Sequence, residues 1–496
     1  MILFHVSKER GIFVNYVELS VFIAYFIFMV AIGLYFFSKS KGAGEKDYFL
    51  GGRNMGAWVS ALSAGASDMS AWVLMGLPAS IYLSGMGQTW IAIGLGIGYA
   101  VSWIVMAPRL RRFSIAAGDS ITIPQYLTNR FLSKNKSLQI LSAVIFLVAY
   151  TIYAASSIKA CGTLFHTVMD VNPTVAMYIA AFIIVAYTFL GGFSAVCWTD
   201  FFQGMIMLAA LLIAPLFALA LAKAGDGAVA GPTLADNFFN FFTTPQDIIS
   251  GLGWGLGYFG MPHIIIRFMS LKSEKELRKS SVIGISWTTI ILIMSALTAV
   301  AGRLYLGEID DPSTVFITMV RRIFPALVSG LLLSAILSAA MSTADSQLLA
   351  ASSAFASDVY KPVIRKKASD SEMLWAGRIV VIVIAVVALM IASDPNSGSI
   401  MGLVENAWGV FGAAFGPVIL LSLFWKRLTF GGTVAGIAAG AAVDILWLVF
   451  LSSTDIYEIV PGFAAGLLAA VVVSLLSKGP GKDVEDLFDR AVDLKS

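Results

Sequence analysis

The sequence is poor in charged residues, cysteine and histidine. Charged residues make up 13% of its 496 residues, whereas soluble domains contain roughly 25%. The only cysteines are Cys161 and Cys197, and the only histidines are His5, His166 and His263. This scarcity excludes a disulfide framework and a Cys/His metal centre, and the low charge excludes a soluble enzyme with one large core.

The chain is instead rich in hydrophobic residues. Hydrophobic residues account for 58% of the chain, and the mean hydropathy is +0.84. Apolar runs of about 20 residues, each long enough for a helix to cross a bilayer, recur along the whole length. We therefore predict an all-α polytopic membrane protein with a single transmembrane domain over 1–496. The thirteen predicted spans are 17–37, 55–81, 86–107, 138–163, 173–192, 200–222, 247–269, 282–306, 326–355, 373–393, 400–424, 430–452 and 457–477.

Lys and Arg are distributed unevenly between alternate connecting segments. Of the 33, 24 fall on the side of the C-terminus, 7 on the opposite side and two within span ends. The positive-inside rule then predicts an outer N-terminus and a cytoplasmic C-terminus. Because Lys8 and Arg10 precede the first run without a small-residue cleavage site, we expect that run to be a retained span.

The connecting segments and the tail carry further expectations. We expect 233–245 and 312–324, on the outer side, to be partly helical. The amphipathic segment 121–131, on the inner side, is expected to lie on the membrane surface. The tail after Lys478 is short and polar, and we expect no soluble domain there.

The second predicted span contains a stretch that is unusual for a membrane helix. ALSAGASDMSAW (61–72) is dense in Gly, Ser and Ala and carries Asp68. Such residues loosen a helix, and an ionisable group at membrane depth is costly unless it lines a cavity or has a partner. The sequence therefore predicts a broken helix whose freed carbonyls face a polar site. A structural alternative for Asp68 is an N-cap of the second half-helix.

A second interrupted span lies five spans later. GLGWGLGYFGMP (251–262) holds five Gly and one Pro. Because five is odd, 55–222 and 247–424 have opposite orientations, which predicts two inverted repeats with peripheral helices at 17–37 and 430–477. Interrupted spans at matching positions of inverted halves indicate a secondary transporter with a midplane site. The alternative is that these glycines serve close helix packing.

The span at 326–355 presents hydroxyls on one face. Ala339, Ser342 and Thr343 occupy positions i, i+3 and i+4, which share a helix face. Hydroxyls there can ligate a hard cation, and the small Ala leaves its carbonyl reachable. The alternative is that each hydroxyl bonds the carbonyl four residues back.

Five motifs resemble those of the sodium/solute symporter family: DYFLGGR (47–53), ALSAGASDMSAW (61–72), GGFSAVCWTD (191–200), WGLGYFGMP (254–262) and AAMST (339–343). The resemblance covers essentially the whole chain and is nearest to members that carry proline. It implies a five-plus-five inverted-repeat transporter fold with one extra helix before the repeats and two after. It also implies sodium-coupled uptake of L-proline across a bacterial cytoplasmic membrane by alternating access.

The same resemblance implies the site residues. The expected sodium ligands are the carbonyls of Ala66, Met69 and Ala339 and the hydroxyls of Ser342 and Thr343. The residues expected to govern sodium affinity and coupling are Asp68 and Ser70. The expected solute-lining residues are Trp72, Tyr153, Trp254, Tyr258 and Pro262. The residues expected to form gate or structural ion pairs are Arg53 and Asp200.

The solute remains open at this point. Ala71 and Met261 replace the Gly and Gln of the proline-carrying pattern, so the alternative is a symporter of the same family for another amino acid or pantothenate. Glu405 and Asp345 are further intramembrane acids without an assigned role. We expect no cofactor beyond the coupling Na⁺, no nucleic acid and no obligatory protein partner.

Three other classes fit the sequence less well. A channel has no need of two matched broken helices. An intramembrane aspartyl protease needs two facing acids, and the sequence around Asp68 and Asp345 does not resemble that chemistry. A sensor with a transporter-like input needs an output domain, which the tail is too short to supply. The sequence therefore favours a transporter over an enzyme.

Overall fold

The computed structural model describes residues 15–39, 45–190, 192–225 and 237–494. Its regular structure is helical. The helices are α1 Tyr16–Lys39, α2 Glu45–Leu50, α3 Ala57–Asp68, α4 Gly76–Ser84, α5 Thr89–Val101, α6 Ala107–Ala116, α7 Ile123–Arg130, α8 Ser137–Met169, α9 Pro173–Leu190, α10 Phe193–Ala224, α11 Pro245–Gly253, α12 Pro262–Ser270, α13 Glu274–Leu306, α14 Val315–Ile323, α15 Ala326–Ser353, α16 Asp370–Ser393, α17 Ile400–Phe424, α18 Phe430–Phe450, α19 Ile459–Leu476 and α20 Lys482–Asp493.

Every predicted span coincides with a helix or with a pair of half-helices. Ten helical segments of the described chain are long and apolar enough to cross a bilayer. The other three predicted spans are the two broken ones and α9, whose apolar stretch is shorter. The all-helical membrane architecture is therefore confirmed, while the count of thirteen crossings and the repeat boundaries remain predictions.

The two broken helices lie at the centre of the bundle. α3 packs against α10, α12, α13 and α15, while the break between α11 and α12 packs against α5 and α17. Short 3₁₀ turns, Ala71–Val73 and Trp254–Phe259, occupy the two breaks. The sequence prediction of two interrupted spans is confirmed, and both interruptions are surrounded by continuous helices.

The peripheral helices dock through specific contacts. Glu18 of α1 is buried and accepts a hydrogen bond from Ser329 Oγ at 2.6 Å, which ties α1 to α15. α18 and α19 pack together and onto α17 through small residues. A Cβ added to Gly440 of α18 would lie 2.1 Å from the carbonyl oxygen of Ala413, so the backbones are in direct contact.

One expectation about the inner side is wrong, and the tail has a structure that was not predicted. α7 does not lie on the membrane surface, because Tyr126 and Arg130 are buried and both bond Ser422 at the end of α17. The polar tail forms α20, whose Phe488 packs edge-on against Phe113 of α6 at 5.1 Å. In both cases the apolar face of an amphipathic helix is covered by protein.

The outer segments agree in part with expectation. The range 312–324 contains a 3₁₀ turn followed by α14, as predicted. In the other outer segment, 237–239 form a turn and 240–244 have no regular structure, so the helix expected there is wrong for these residues. Residues 233–236 of that prediction, and Lys8 and Arg10, lie outside the described residues.

Candidate functional site

The first break exposes the carbonyl end of α3. Ser342 Oγ of α15 donates to the Ala66 carbonyl at 2.8 Å. The Nε2 atom of His263 on α12 lies 3.2 Å from the Ser67 carbonyl. Side chains of α15 and α12 thus contact two carbonyls that would accept backbone N–H groups if α3 continued. A helix C-terminus carries partial negative charge, so this end favours a cation.

The five predicted sodium ligands are all fully buried. Ser342 Oγ lies 3.2 Å from the Ala339 carbonyl and also contacts Ala66, so three of the five oxygens are brought together. Thr343 Oγ1 has no hydrogen-bond partner among the described residues. Met69 caps α3 with non-helical dihedral angles, φ −77° and ψ 71°. The structure therefore brings the Ala66, Ala339 and Ser342 oxygens together between the first break and α15, and the roles of Met69 and Thr343 stay predictions.

The N-cap of the 3₁₀ turn in the first break is Ser70, not Asp68. Asp68 is the last residue of α3. Ser70 Oγ accepts from the Trp72 backbone N–H at 3.4 Å and precedes the Ala71–Val73 turn. The alternative prediction that Asp68 is an N-cap is therefore wrong, because the chain needs two further residues to leave α3 before it turns again.

Asp68 instead points across the bundle to the second break. The Tyr258 hydroxyl donates to Asp68 Oδ2 at 2.5 Å. The second carboxylate oxygen, Oδ1, is buried and has no hydrogen-bond partner among the described residues. Asp68, which we expect to govern sodium affinity, is thus hydrogen-bonded to Tyr258, which we expect to line the solute site. Sequence reasoning did not foresee this link, because 190 residues separate the two.

The glycines of the second break also serve close packing. A Cβ on Gly98 of α5 would lie 2.2 Å from the Gly255 carbonyl oxygen, and one on Gly255 would lie 2.3 Å from the Gly94 carbonyl oxygen. The packing alternative for these glycines therefore holds together with the break. Small residues allow such backbone contact within membranes.

Trp408 of α17 organises the second break and was missed from the sequence. Its Nε1 donates to the Trp254 carbonyl at 2.8 Å. Its ring stacks on Trp254 at 6.5 Å and meets Tyr258 edge-on at 5.1 Å. A buried indole N–H needs an acceptor, and a carbonyl freed by an interrupted helix is one. A tryptophan in a span that packs on an interrupted helix was therefore the signal in the sequence that could have identified Trp408.

The predicted solute-lining residues surround the two breaks and are closed off from water. Trp72, Tyr153, Trp254 and Tyr258 are each at most 3% exposed, and Pro262 is buried. Tyr153 lies next to Ser70 and Trp72 on the first break, whereas Trp254, Tyr258 and Pro262 belong to the second. The structure therefore divides the predicted residues between the two interruptions.

His263 and Tyr150 are further site residues that sequence reasoning missed. The Tyr150 hydroxyl accepts from the His263 backbone N–H, in the first turn of α12, at 3.0 Å. The buried His263 ring reaches α3 through the Ser67 carbonyl. The first N–H groups of a helix have no partner within it, and at the start of α12 one of them, from His263, donates to the Tyr150 side chain.

Asp200 forms a buried ion pair with Arg267, at 3.0 Å from Oδ2 to Nη2. Ser63 Oγ donates to the same carboxylate oxygen at 2.6 Å, and Arg267 Nη2 also donates to Ser346 Oγ at 2.6 Å. The network joins α3, α10, α12 and α15. An intramembrane arginine needs a partner, so Arg267 could have been singled out from the sequence.

Arg53 pairs with Asp119 at 2.8 Å from Nε to Oδ1. It also donates to the Met269 carbonyl at 2.6 Å, and Lys46 bonds the same Asp119. Partial burial raises the pKa of Asp119, but Lys46 and Arg53 outweigh it and hold the pKa below its ordinary value. Arg53 and Asp200 thus join separate ion pairs, and whether either is a gate stays a prediction.

The remaining acids fall into two places. Asp345 is buried in α15. Glu405 and Glu458 line a polar cavity of about 650 Å³ beside α11, α17 and α18. Both oxygens of the neighbouring Asp444 are buried without a hydrogen-bond partner among the described residues. No cluster of three or more His, Cys, Asp or Glu within the described chain is suited to hold a metal ion.

Comparison with known proteins identifies the family. A sequence model described as "Sodium:solute symporter family" matches residues 48–440. The chain belongs to the sodium:solute symporter family. It is therefore a membrane transporter and not an enzyme.

Two curated relatives and one solved structure extend this result. The high-affinity proline transporter PutP of Bacillus subtilis is 43% identical over 475 residues, covering 94% of this chain and 100% of the relative. The sodium/proline symporter of Haemophilus influenzae is 43% identical over 498 residues, covering 96% and 97%. The substrate-bound, outward-open structure of a Na⁺-coupled sialic acid symporter superposes with a TM-score of 0.77 at 20% identity, covering 94% of this chain and 99% of that one. The chain described here therefore has the inverted-repeat transporter fold that was predicted from its sequence.

Proposed function

We propose that the chain takes up L-proline together with Na⁺ across a bacterial cytoplasmic membrane, by alternating access. The observation that carries the proposal is the junction of Ala66, Ala339 and Ser342, where a broken helix meets α15. Proline as solute is supported by relatives named for proline that match nearly the whole chain at 41–43% identity. The N-terminus lies outside and the C-terminus inside, a topology supported by the Lys and Arg bias.

Na⁺ binds between α3 and α15. Without the ion, the Ser342 hydroxyl donates to the Ala66 carbonyl. When Na⁺ binds, the hydroxyl keeps its proton but turns it away, and the ion lies between the two oxygens. The Ala339 carbonyl, the Thr343 hydroxyl and the Met69 carbonyl complete the ligand set. All five donors are neutral oxygens, which suit a hard monovalent cation. The negative end of the α3 dipole adds to the attraction.

Proline binds between the two breaks. Its carboxylate lies at a half-helix start beside one of the breaks, where backbone N–H groups favour an anion. Its ammonium and ring lie among Trp72, Tyr153 and Tyr258, where a cation–π contact contributes on the order of 1 kcal/mol. The side chains of Ala71 and Met261 flank this pocket, and they are the positions at which a different solute would be selected.

The Tyr258–Asp68 hydrogen bond couples the two sites. Na⁺ fixes the end of α3 against α15, which sets the position of Asp68 and, through it, of Tyr258. Each ligand shifts the conformational equilibrium by its differential affinity for the outward and inward states. One Na⁺ moves with each proline, since one such cluster of oxygens is evident among the described residues. Its entry gains roughly 2.3 kcal/mol per 100 mV. The cycle needs no cofactor beyond the transported Na⁺ and no protein partner.

The test is uptake of labelled proline into proteoliposomes under Na⁺, Li⁺, K⁺ or H⁺ gradients. Uptake driven by Na⁺ and absent with K⁺ supports the proposal, and equal uptake without Na⁺ overturns the coupling. Competition with unlabelled amino acids and pantothenate decides the solute. If pantothenate or another amino acid enters and proline does not, the alternative within the family is correct.

A further inference from the structure

A long apolar groove runs along the outside of the bundle. It encloses about 970 Å³ between α8, α16 and the segment that continues α15. Branched aliphatic side chains form its two long walls, Val148 and Ile152 on α8 and Ile379, Val383 and Val387 on α16. Ile379 and Val383 are 58% and 55% exposed. The groove thus offers a shaped apolar surface where a membrane protein meets acyl chains.

The groove spans the hydrocarbon layer. Its lining extends on α16 from Glu372 to Ile391, a rise of about 28 Å at 1.5 Å per residue. The hydrocarbon core of a bilayer is about 30 Å thick. One end of the groove, at Glu372, therefore lies at the level of the lipid headgroups.

Positive charge is concentrated at that end. Four basic and two acidic residues lie between 361 and 372. Arg365, Lys366 and Lys367 are all exposed. Arg365 Nε lies 2.9 Å from Glu372 Oε1 at the groove mouth, and the Tyr360 hydroxyl donates to the same oxygen at 2.6 Å. Basic clusters of this kind, next to a membrane span, attract anionic phospholipid headgroups.

The end wall of the groove belongs to the helix that carries the candidate ion ligands. α15 continues without a break into the π-helix Ala354–Ile364, whose Phe355, Tyr360 and Ile364 line the groove. π-helical turns are rare and occur frequently at functional sites. An occupant of the groove would therefore rest directly on the extension of α15.

We propose that this groove is a binding site for an anionic phospholipid. One acyl chain lies along α16 between the aliphatic walls, and the phosphate lies on the cluster formed by Arg365, Lys366 and Lys367. A lipid held there supports the π-helical end of α15. Binding itself does not depend on the transported solute.

The test measures which lipids stay bound. The protein is reconstituted in nanodiscs of phosphatidylcholine and phosphatidylglycerol at 3:1, and lipids retained after mild detergent extraction are counted by native mass spectrometry. We expect phosphatidylglycerol to be retained in preference to phosphatidylcholine. The triple variant Arg365→Gln/Lys366→Gln/Lys367→Gln should lower that preference by about fivefold or more. Ala376→Trp, which fills the groove from α16 without changing charge, should also displace the lipid.

The control removes three exposed basic residues elsewhere. Lys272→Gln/Lys275→Gln/Arg278→Gln, around the start of α13, should retain phosphatidylglycerol like the unaltered protein. Equal retention of both lipids by the unaltered protein overturns the proposal. So does a triple variant that keeps as much phosphatidylglycerol as the control, even if Ala376→Trp displaces it, because charge would then play no part.

Discussion

The hydrogen bond from Tyr258 to Asp68 is the contact on which coupling depends in our account. Tyr258→Phe removes the hydroxyl and leaves both oxygens of a buried carboxylate without a described partner. A hydrogen bond to a charged group contributes about 1.5–3 kcal/mol. Because 1.4 kcal/mol is a factor of ten, we expect apparent affinities for both Na⁺ and proline to fall by about 10- to 100-fold.

The measurement is a double-mutant cycle. Na⁺-dependent binding of labelled proline is compared in the unaltered protein, Tyr258→Phe, Asp68→Asn and the double variant. If the two side chains act through their bond, the double variant is hardly worse than the worse single variant, and the interaction energy is about 1.5–3 kcal/mol. Additive losses would refute the reasoning.

A matched control is Tyr99→Phe. The Tyr99 ring meets Tyr258 edge-on at 5.2 Å, and its hydroxyl has no hydrogen-bond partner among the described residues. The substitution therefore removes a neighbouring buried hydroxyl without touching Asp68. We expect nearly unchanged Na⁺ and proline affinities in this variant.

Three further substitutions test other contacts. Thr343→Ala removes one ion ligand and should raise the Na⁺ concentration for half-maximal uptake about tenfold or more; unchanged Na⁺ dependence would remove this hydroxyl from the site. Asp200→Asn leaves Arg267 buried without its countercharge and should cost about 3–5 kcal/mol, seen as a lower unfolding temperature in detergent. Gly98→Ala places a methyl group 2.2 Å from the Gly255 carbonyl oxygen, so we expect little folded protein by size-exclusion chromatography.

Helix positions were predictable because the bilayer constrains them strongly. A span must be apolar for about 20 residues and must bond its own backbone. The same constraint makes exceptions visible, so the Gly, Ser and Ala runs at 61–72 and 251–262 predicted breaks that the structure contains. Ser342 and Ala339 were predictable as one face of a helix, and the family resemblance supplied Ala66 as their counterpart.

Contacts between distant helices were not predictable in the same way. Arg267 and Tyr258 each meet an aspartate whose position depends on how whole helices pack, which no local pattern specifies. The docking of α7 and α20 was missed for a related reason. An amphipathic helix has the same pattern whether lipid or protein covers its apolar face, and only the tertiary structure shows that Phe113 covers α20.

Proline-driven entry of ²²Na⁺ tests the central claim most directly. Proteoliposomes with equal Na⁺ inside and outside are given proline on the outside only, and ²²Na⁺ uptake is followed together with labelled proline. Our account predicts that proline accelerates Na⁺ entry, at one Na⁺ per proline, and that Thr343→Ala abolishes this acceleration at low Na⁺. Na⁺ entry that is the same with and without proline would contradict it.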